Sequence, residues 1–117
     1  MAIPSGSGTE VLKRVTAHAV SNSFVALITG VANHIYTVIS VVACEQGEAA
    51  ELFNMRVDVS AAGSNQIRIL EQQSLPSFGT FTFSDKLVLT GTDKLEVSTD
   101  GPANVDVYVS YIDQDWT

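Results

Sequence analysis

The chain has 117 residues and a mass of 12.5 kDa, which is room for one domain. Thirteen acidic residues against six basic ones give a net charge of −7. With Lys13-Arg14 as the only adjacent basic pair, the clustered cations that nucleic acid requires are missing. Apolar residues make up 45% and charged residues 16%. That balance is too apolar for a disordered segment, and no run approaches the roughly 20 apolar residues of a membrane-spanning helix.

Val, Ile and Thr number 15, 7 and 10. β-Branched side chains lose rotamer freedom in helices and pack well on pleated surfaces, so an all-β chain is expected. Met1 to Gly8, reading MAIPSGSG, lacks the basic and apolar regions of a secretory signal. It reads as an extended, flexible arm over residues 1–9, followed by one domain over 10–117. The lone Cys44 forbids an intrachain disulfide and points to synthesis in a reducing cytoplasm.

Glu10 to Val20 alternates in part, with Val11, Val15, Ala17 and Ala19 on one face. Phe24 to Thr29 has strand length, and Gly30 to Asn33 reads as a turn. Ile35 to Cys44 is apolar on both faces, as a central strand between two layers would be. Glu45 to Glu51 reads as a polar loop or a single helical turn. Leu52 to Ser60 alternates, with Phe53, Met55, Val57 and Val59 on the inner face.

Ala61 to Asn65 is a connection in which Gly63 can supply a positive φ. Ile67 and Ile69 mark a half-buried strand, and Ser74 to Ser77, with Pro76, is expected to be irregular. Phe81 and Phe83 share a face. Ser84-Asp85 reads as a tight turn, and Leu87 and Leu89 follow it. Gly91-Thr92-Asp93 and Asp100-Gly101-Pro102 are turn clusters on either side of Leu95, Val97 and Thr99. In the last strand the odd residues Val105, Val107, Val109 and Tyr111 should face the core. Eight or nine short strands at this spacing predict an antiparallel sandwich or barrel, and a jelly-roll-like β-sandwich of about eight strands is the fold class expected.

No motif points to a catalytic, cofactor or metal group. A P-loop and a nucleophile elbow are both missing. His18 and His34 read as partly exposed strand histidines, and Cys44 as a buried structural cysteine. Glu45, Glu48 and Glu51 lack the spacing of a calcium loop. They read as solvated turn residues or as groups facing a basic patch on a partner, while Asp85, Asp93 and Asp100 suit Asx turns. Tyr108, Tyr111 and Trp116 cluster near the end of the chain. Tyr111 is in phase with the core, and Trp116 reads as an anchor at a subunit interface, where aromatic residues are enriched.

Ser84 to Thr99, reading SDKLVLTGTDKLEVST, resembles the LVL-x-x-GD-x-L-x-V hairpin of small structural proteins of tailed bacteriophages. Asn104 to Asp113, reading NVDVYVSYID, is similar to their final VDVxVSYxE strand. Ile35-Tyr36-Thr37-Val38, with Cys44 downstream, and Ile67 to Leu75 occupy corresponding places. Thr92 separates Gly91 from Asp93, and the Pro-x-Gly turn that often follows YTV is missing. The resemblance implies a β-sandwich virion component that is not an enzyme. The leading expectation is a capsid decoration (cement) protein on the capsid exterior, made in the host cytoplasm. It would be a homo-oligomer, with a trimer favoured, bound to the major capsid protein. Ile3, Pro4 and Trp116 are the expected interface residues. A neck, tail or fibre subunit with receptor or glycan contact is the alternative.

Overall fold

β-Branched and aromatic residues alternate through most of the chain, and the chain answers with strands. The computed structural model describes residues 9–47, 50–101 and 104–116. It contains β1 (Thr9–Val20), β2 (Val25–Thr29), β3 (His34–Glu45), β4 (Glu51–Asp58), β5 (Gln66–Leu75), β6 (Thr80–Phe83), β7 (Leu87–Thr90), β8 (Lys94–Thr99) and β9 (Val105–Asp115). A single 3-10 turn, Val59–Ala61, follows β4.

The strands form two antiparallel sheets. Sheet A runs β1-β9-β3, with β6 and β7 both paired to the far side of β3. Sheet B runs β2-β8-β4-β5. The chain steps back and forth between the sheets, and this order is that of a jelly roll with one strand divided into β6 and β7. The expected fold class is therefore the observed one. Side chains from the two inner faces interdigitate as the core. Val38, Val41, Val105, Val107, Val109 and Leu89 come from sheet A, and Phe53, Met55, Val57, Leu95 and Val97 from sheet B.

Bulges in β1, β3 and β5 explain where these strands depart from the alternation read in the sequence. In β3 the register against β9 slips between Val38 and Ser40, which leaves Ile39 as an extra residue. Tyr36 and Val38 point inward before it, and Val41, Ala43 and Glu45 after it. The apolar run Ile35 to Cys44 is thus one inner face whose phase switches, not a strand buried on both sides. In β1 the slip falls between Ala17 and Val20, and Ala19 sits at φ 56°. Val20, not Ala19, completes the inner row. In β5 the register against β4 slips twice, once around Gln72, at φ 54°, and once between Leu70 and Arg68, where Ile69 is extra. The strand resumes through Ser74 to Leu75, where Pro76 had suggested an irregular segment.

Two turn assignments also change. β6 and β7 follow one line along β3, pairing Phe83 with Val41 and Leu87 with Val38. Ser84–Lys86 therefore arch over the Ile39 bulge and do not reverse the chain. The LVL-to-LEV segment is likewise not a hydrogen-bonded hairpin. β7 belongs to sheet A and β8 to sheet B, and Gly91 at φ 58° turns the corner between them. Gly30 packs against this corner; a Cβ there would overlap the Gly91 carbonyl oxygen. Backbone approach this close leaves space only for glycine.

The arm expected over residues 1–9 lies outside the described residues except for Thr9, which opens β1 opposite Asp115. Val107 fixes the phase of β9. Val107→Asp places an unpaired charge in the core and should cost more than about 3 kcal/mol. Thermal unfolding of the purified variant measures this; an unchanged melting temperature would contradict the register.

Candidate functional site

Alternation along β1, β9 and β3 leaves sheet A with a mixed but notably apolar outer face. Leu12, Ile112, Thr37 and Val88 form one cross-sheet row. Thr16, Tyr108, Val42 and Thr82 form another. Leu12 is 72% exposed, Val88 58%, Tyr108 42% and the bulged Ile39 37%. Two shallow hollows, of about 480 and 290 Å³, meet at Tyr108. The Arg14 guanidinium lies 5.9 Å from the Tyr108 ring centroid. Exposed apolar groups gathered on one face favour association with a partner surface.

Cys44 lines the smaller hollow and is only half-buried. The expected buried cysteine is corrected by the Ile39 bulge, which turns Cys44 outward and its neighbours Ala43 and Glu45 inward. Beside it Asp106 organises the rim of the hollow. It accepts from the Ala19 amide at 3.0 Å, pairs with His18 Nδ1 at 2.7 Å and accepts from the Gln46 side-chain amide.

Each end of the sandwich is closed by charged side chains in inward phase. At one end Asp113 accepts from Lys13 Nζ at 2.8 Å and pairs with His34 Nδ1 at 2.7 Å. His34 Nε2 lies 3.5 Å from Asp115. The His34 ring stacks on Tyr36, whose hydroxyl accepts from the Val31 amide at 3.0 Å. Burial pushes the Asp113 carboxyl up, but hydrogen bonds and charge from Lys13 and His34 outweigh it and hold it below the usual range. The hydrogen bond to Asp113 in turn raises Lys13.

At the other end Glu45 and Glu51 are buried, which corrects the reading of Glu45 to Glu51 as a solvated loop. The phase of β3 carries Glu45 inward, and Glu51 begins the inner row of β4. Burial, then the nearby charges of Glu45 and Asp100, raise the Glu51 carboxyl above its ordinary value.

The outer face of sheet B carries a polar hollow of about 440 Å³. Buried Asn54 organises it, donating to Asp100 Oδ1 at 2.8 Å and accepting from the Gln72 amide at 2.8 Å. That second bond gives the Gln72 amide a partner where the β5 bulge interrupts the ladder. Gln72 Nε2 also reaches Asp100 Oδ2 at 3.0 Å. Phe24 forms one wall, with the Arg56 guanidinium 3.6 Å from its ring centroid. Of the expected Asx aspartates, Asp93 accepts from the Thr90 amide at 3.0 Å and the Ser60 amide at 2.8 Å.

Ile3 and Pro4 lie outside the described residues. Trp116 follows β9, with its amide donating to the Asn33 carbonyl at 3.0 Å. Its ring is half-buried, and the indole Nε1 is buried with no hydrogen-bond partner among the described residues. Sequence reasoning missed the Asp113 and Asn54 clusters. Their members lie from 18 to 100 residues apart, and no local spacing announces them.

No family model matches the chain, and no curated protein matches it. Solved structures do. A chain of the Bacillus endospore appendages, described as disulfide-linked pili, aligns over 100% of this chain and 97% of its own, with TM-score 0.60 and 11% identity. A chain of the acid-stable capsid of the Helicobacter pylori bacteriophage KHP30 aligns over 95% of both chains, with TM-score 0.56 and 10% identity. A chain of the infectious bursal disease virus particle covers 99% of this chain at TM-score 0.57 and 11% identity. Here the present chain spans only 34% of the viral one. At such identities the shared property is the β-sandwich fold.

The two ends of the sandwich should respond oppositely to pH. Asp113 titrates below its unfolded value, so its contribution is present at neutral pH and lost as pH falls through the depressed folded value. Asp113→Asn should destabilise by roughly 1–3 kcal/mol at pH 7 and by less in acid. Glu51 titrates above its unfolded value, so its charge weakens the fold as pH rises through that interval. In chelated buffer Glu51→Gln should raise the melting temperature at pH 8, with the gain vanishing below the ordinary glutamate range. Melting curves across pH measure both.

Proposed function

We propose that this protein is a structural component of a tailed-bacteriophage virion, and specifically a capsid decoration (cement) protein. In this reading it binds the major capsid protein on the outside of the shell, as a homotrimer, after synthesis in the host cytoplasm. The observation that carries the reading is the apolar outer face of sheet A. It lies beside β1, an edge strand of twelve residues. Edge strands and exposed apolar faces are what a monomer conceals and an assembling subunit uses. The end-to-end likeness to a phage capsid chain and the sequence resemblance to phage structural proteins support the same reading.

Stabilisation of the shell would follow from mass action. A ligand that binds assembled subunits and not their separated parts shifts the equilibrium toward assembly. No chemical step is involved. Leu12, Ile39 and Tyr108 would form the centre of the contact. Ile3 and Pro4, on the arm, would bury apolar surface to offset the entropy lost on ordering. Trp116, half-buried after β9, would add an aromatic anchor to the contact.

The polar hollow on sheet B favours a second reading, a neck, tail or fibre subunit with glycan contact. Aromatic and amide groups around a concavity suit a hydroxyl-rich ligand.

Copy number separates the two. Quantitative peptide mass spectrometry of purified particles should find on the order of one chain, or one third of a chain, per major capsid subunit. A few copies per particle would favour the second reading, and absence from particles would defeat both. Leu12→Ser with Tyr108→Ala should abolish capsid binding with little change in melting temperature, and deletion of residues 2–8 should weaken binding but leave the fold intact.

A further inference from the structure

We infer that Glu45 and Glu51 form a binding site for a hard divalent cation, Ca²⁺ in particular, at the end of the sandwich where β3 and β8 finish and β4 begins. The inference is independent of the virion reading, since it concerns the free protein.

Glu45 is 1% exposed and Glu51 5%. Two carboxylates so deeply placed would ordinarily carry a cationic partner, because an uncompensated buried charge is strongly disfavoured. No lysine, arginine or histidine pairs with either among the described residues. Glu45 Oε1 accepts from the Gly47 amide at 2.6 Å. Glu45 Oε2 is buried and has no hydrogen-bond partner among the described residues. A buried oxygen left in this state calls for a ligand. The charge of Glu45 also acts on Glu51, so the two groups share one neighbourhood.

The backbone around the pair is built for close approach. At Gly101 a Cβ would lie 2.5 Å from Glu51 Oε2, and at Gly47 one would lie 2.9 Å from Glu45 Oε1. Both loops therefore bring glycine backbone directly against the carboxylates, closer than any residue with a side chain would allow. Carboxylate oxygens with backbone carbonyls and water are the ligands that calcium prefers. With no imidazole or thiol in the pair, softer transition metals are less well served. The chain's net charge of −7 favours cation capture in general.

Asp100 is the third charge in reach, but both of its oxygens are held by the Asn54 and Gln72 amides. It would act on the ion through space and not as a ligand. The sequence pattern Glu45, Glu48, Glu51 does not fit a calcium loop, because the two buried ligands come from separate strands.

The test is thermal unfolding and calorimetric titration of the full chain with CaCl₂, against a chelated control at pH 7. Calcium should raise the melting temperature, with a rise that grows with the logarithm of its concentration once the site is saturated. Glu45→Gln and Glu51→Gln should each abolish both the rise and the titration heat. Both variants exchange a charge for a neutral amide of the same shape and should fold in chelator, where circular dichroism verifies them. Asp113→Asn, at the opposite end, should keep the full calcium response. Stability indifferent to millimolar calcium would overturn the site, and so would a response that persists in both glutamine variants. In either case a proton shared by the two glutamates would be the better account of their burial.

Discussion

Sheet A depends on one extra residue. A strand presents alternate side chains to alternate faces, so a single inserted position reverses everything beyond it. Ile39 is that position in β3. Because of it Tyr36 and Val38 share the core with Val41 and Ala43, although their numbering has opposite parity. The same step turns Cys44 to the outer face and drives Glu45 into the interior. It also accounts for the divided strand opposite: β6 and β7 pair on either side of the bulge, and Ser84–Lys86 arch over it.

The two faces of the sandwich differ in what they offer. Sheet A presents apolar side chains around two shallow hollows next to an open edge. Sheet B presents amides and carboxylates around a concavity braced by the Asn54 network. Its two ends differ as well. Lys13 and His34 compensate Asp113 at one, whereas acids meet at the other. The jelly roll itself explains this polarity. The last inward positions of the strands cap the core at each end and are themselves buried. Polar groups can occupy them only with a partner.

Much of this was legible in the residues. The regular alternation of Val105, Val107 and Val109, or of Phe53, Met55 and Val57, marks the inner faces because nothing interrupts those stretches. The alternation misleads where a bulge intervenes, at Ala19, Ile39 and Gln72. None of these is a glycine, so no turn residue marks the step, and two of the three adopt positive φ against their own preference. It misleads again at Ser84-Asp85, where turn chemistry serves an arch and not a reversal. The Asp113 and Glu45–Glu51 groups were invisible for another reason. The Asp113 group joins β1, β3 and β9, and a single sequence carries no record of which strands meet; Glu45 and Glu51 belong to successive strands, but the Ile39 bulge that turns Glu45 inward leaves no mark in the sequence. The interface residues Ile3, Pro4 and Trp116 belong to the proposal and rest on composition and resemblance.

β1 pairs with β9 along nearly all its length, Thr9 opposite Asp115 and Val20 opposite Val105. The partners are thus about as far apart in the chain as two strands here can be. Closing so long a loop is entropically costly, and its reward comes only at the end. During synthesis β1 leaves the ribosome first and must wait for β9, with Leu12 and Val11 uncovered meanwhile. Sheet B, whose members β4 and β5 are close neighbours in sequence, can assemble earlier. Final insertion of β9 between β1 and β3 would then be the event that commits the chain to its native state. Until that moment a crowded cell offers other edges for β1 to pair with.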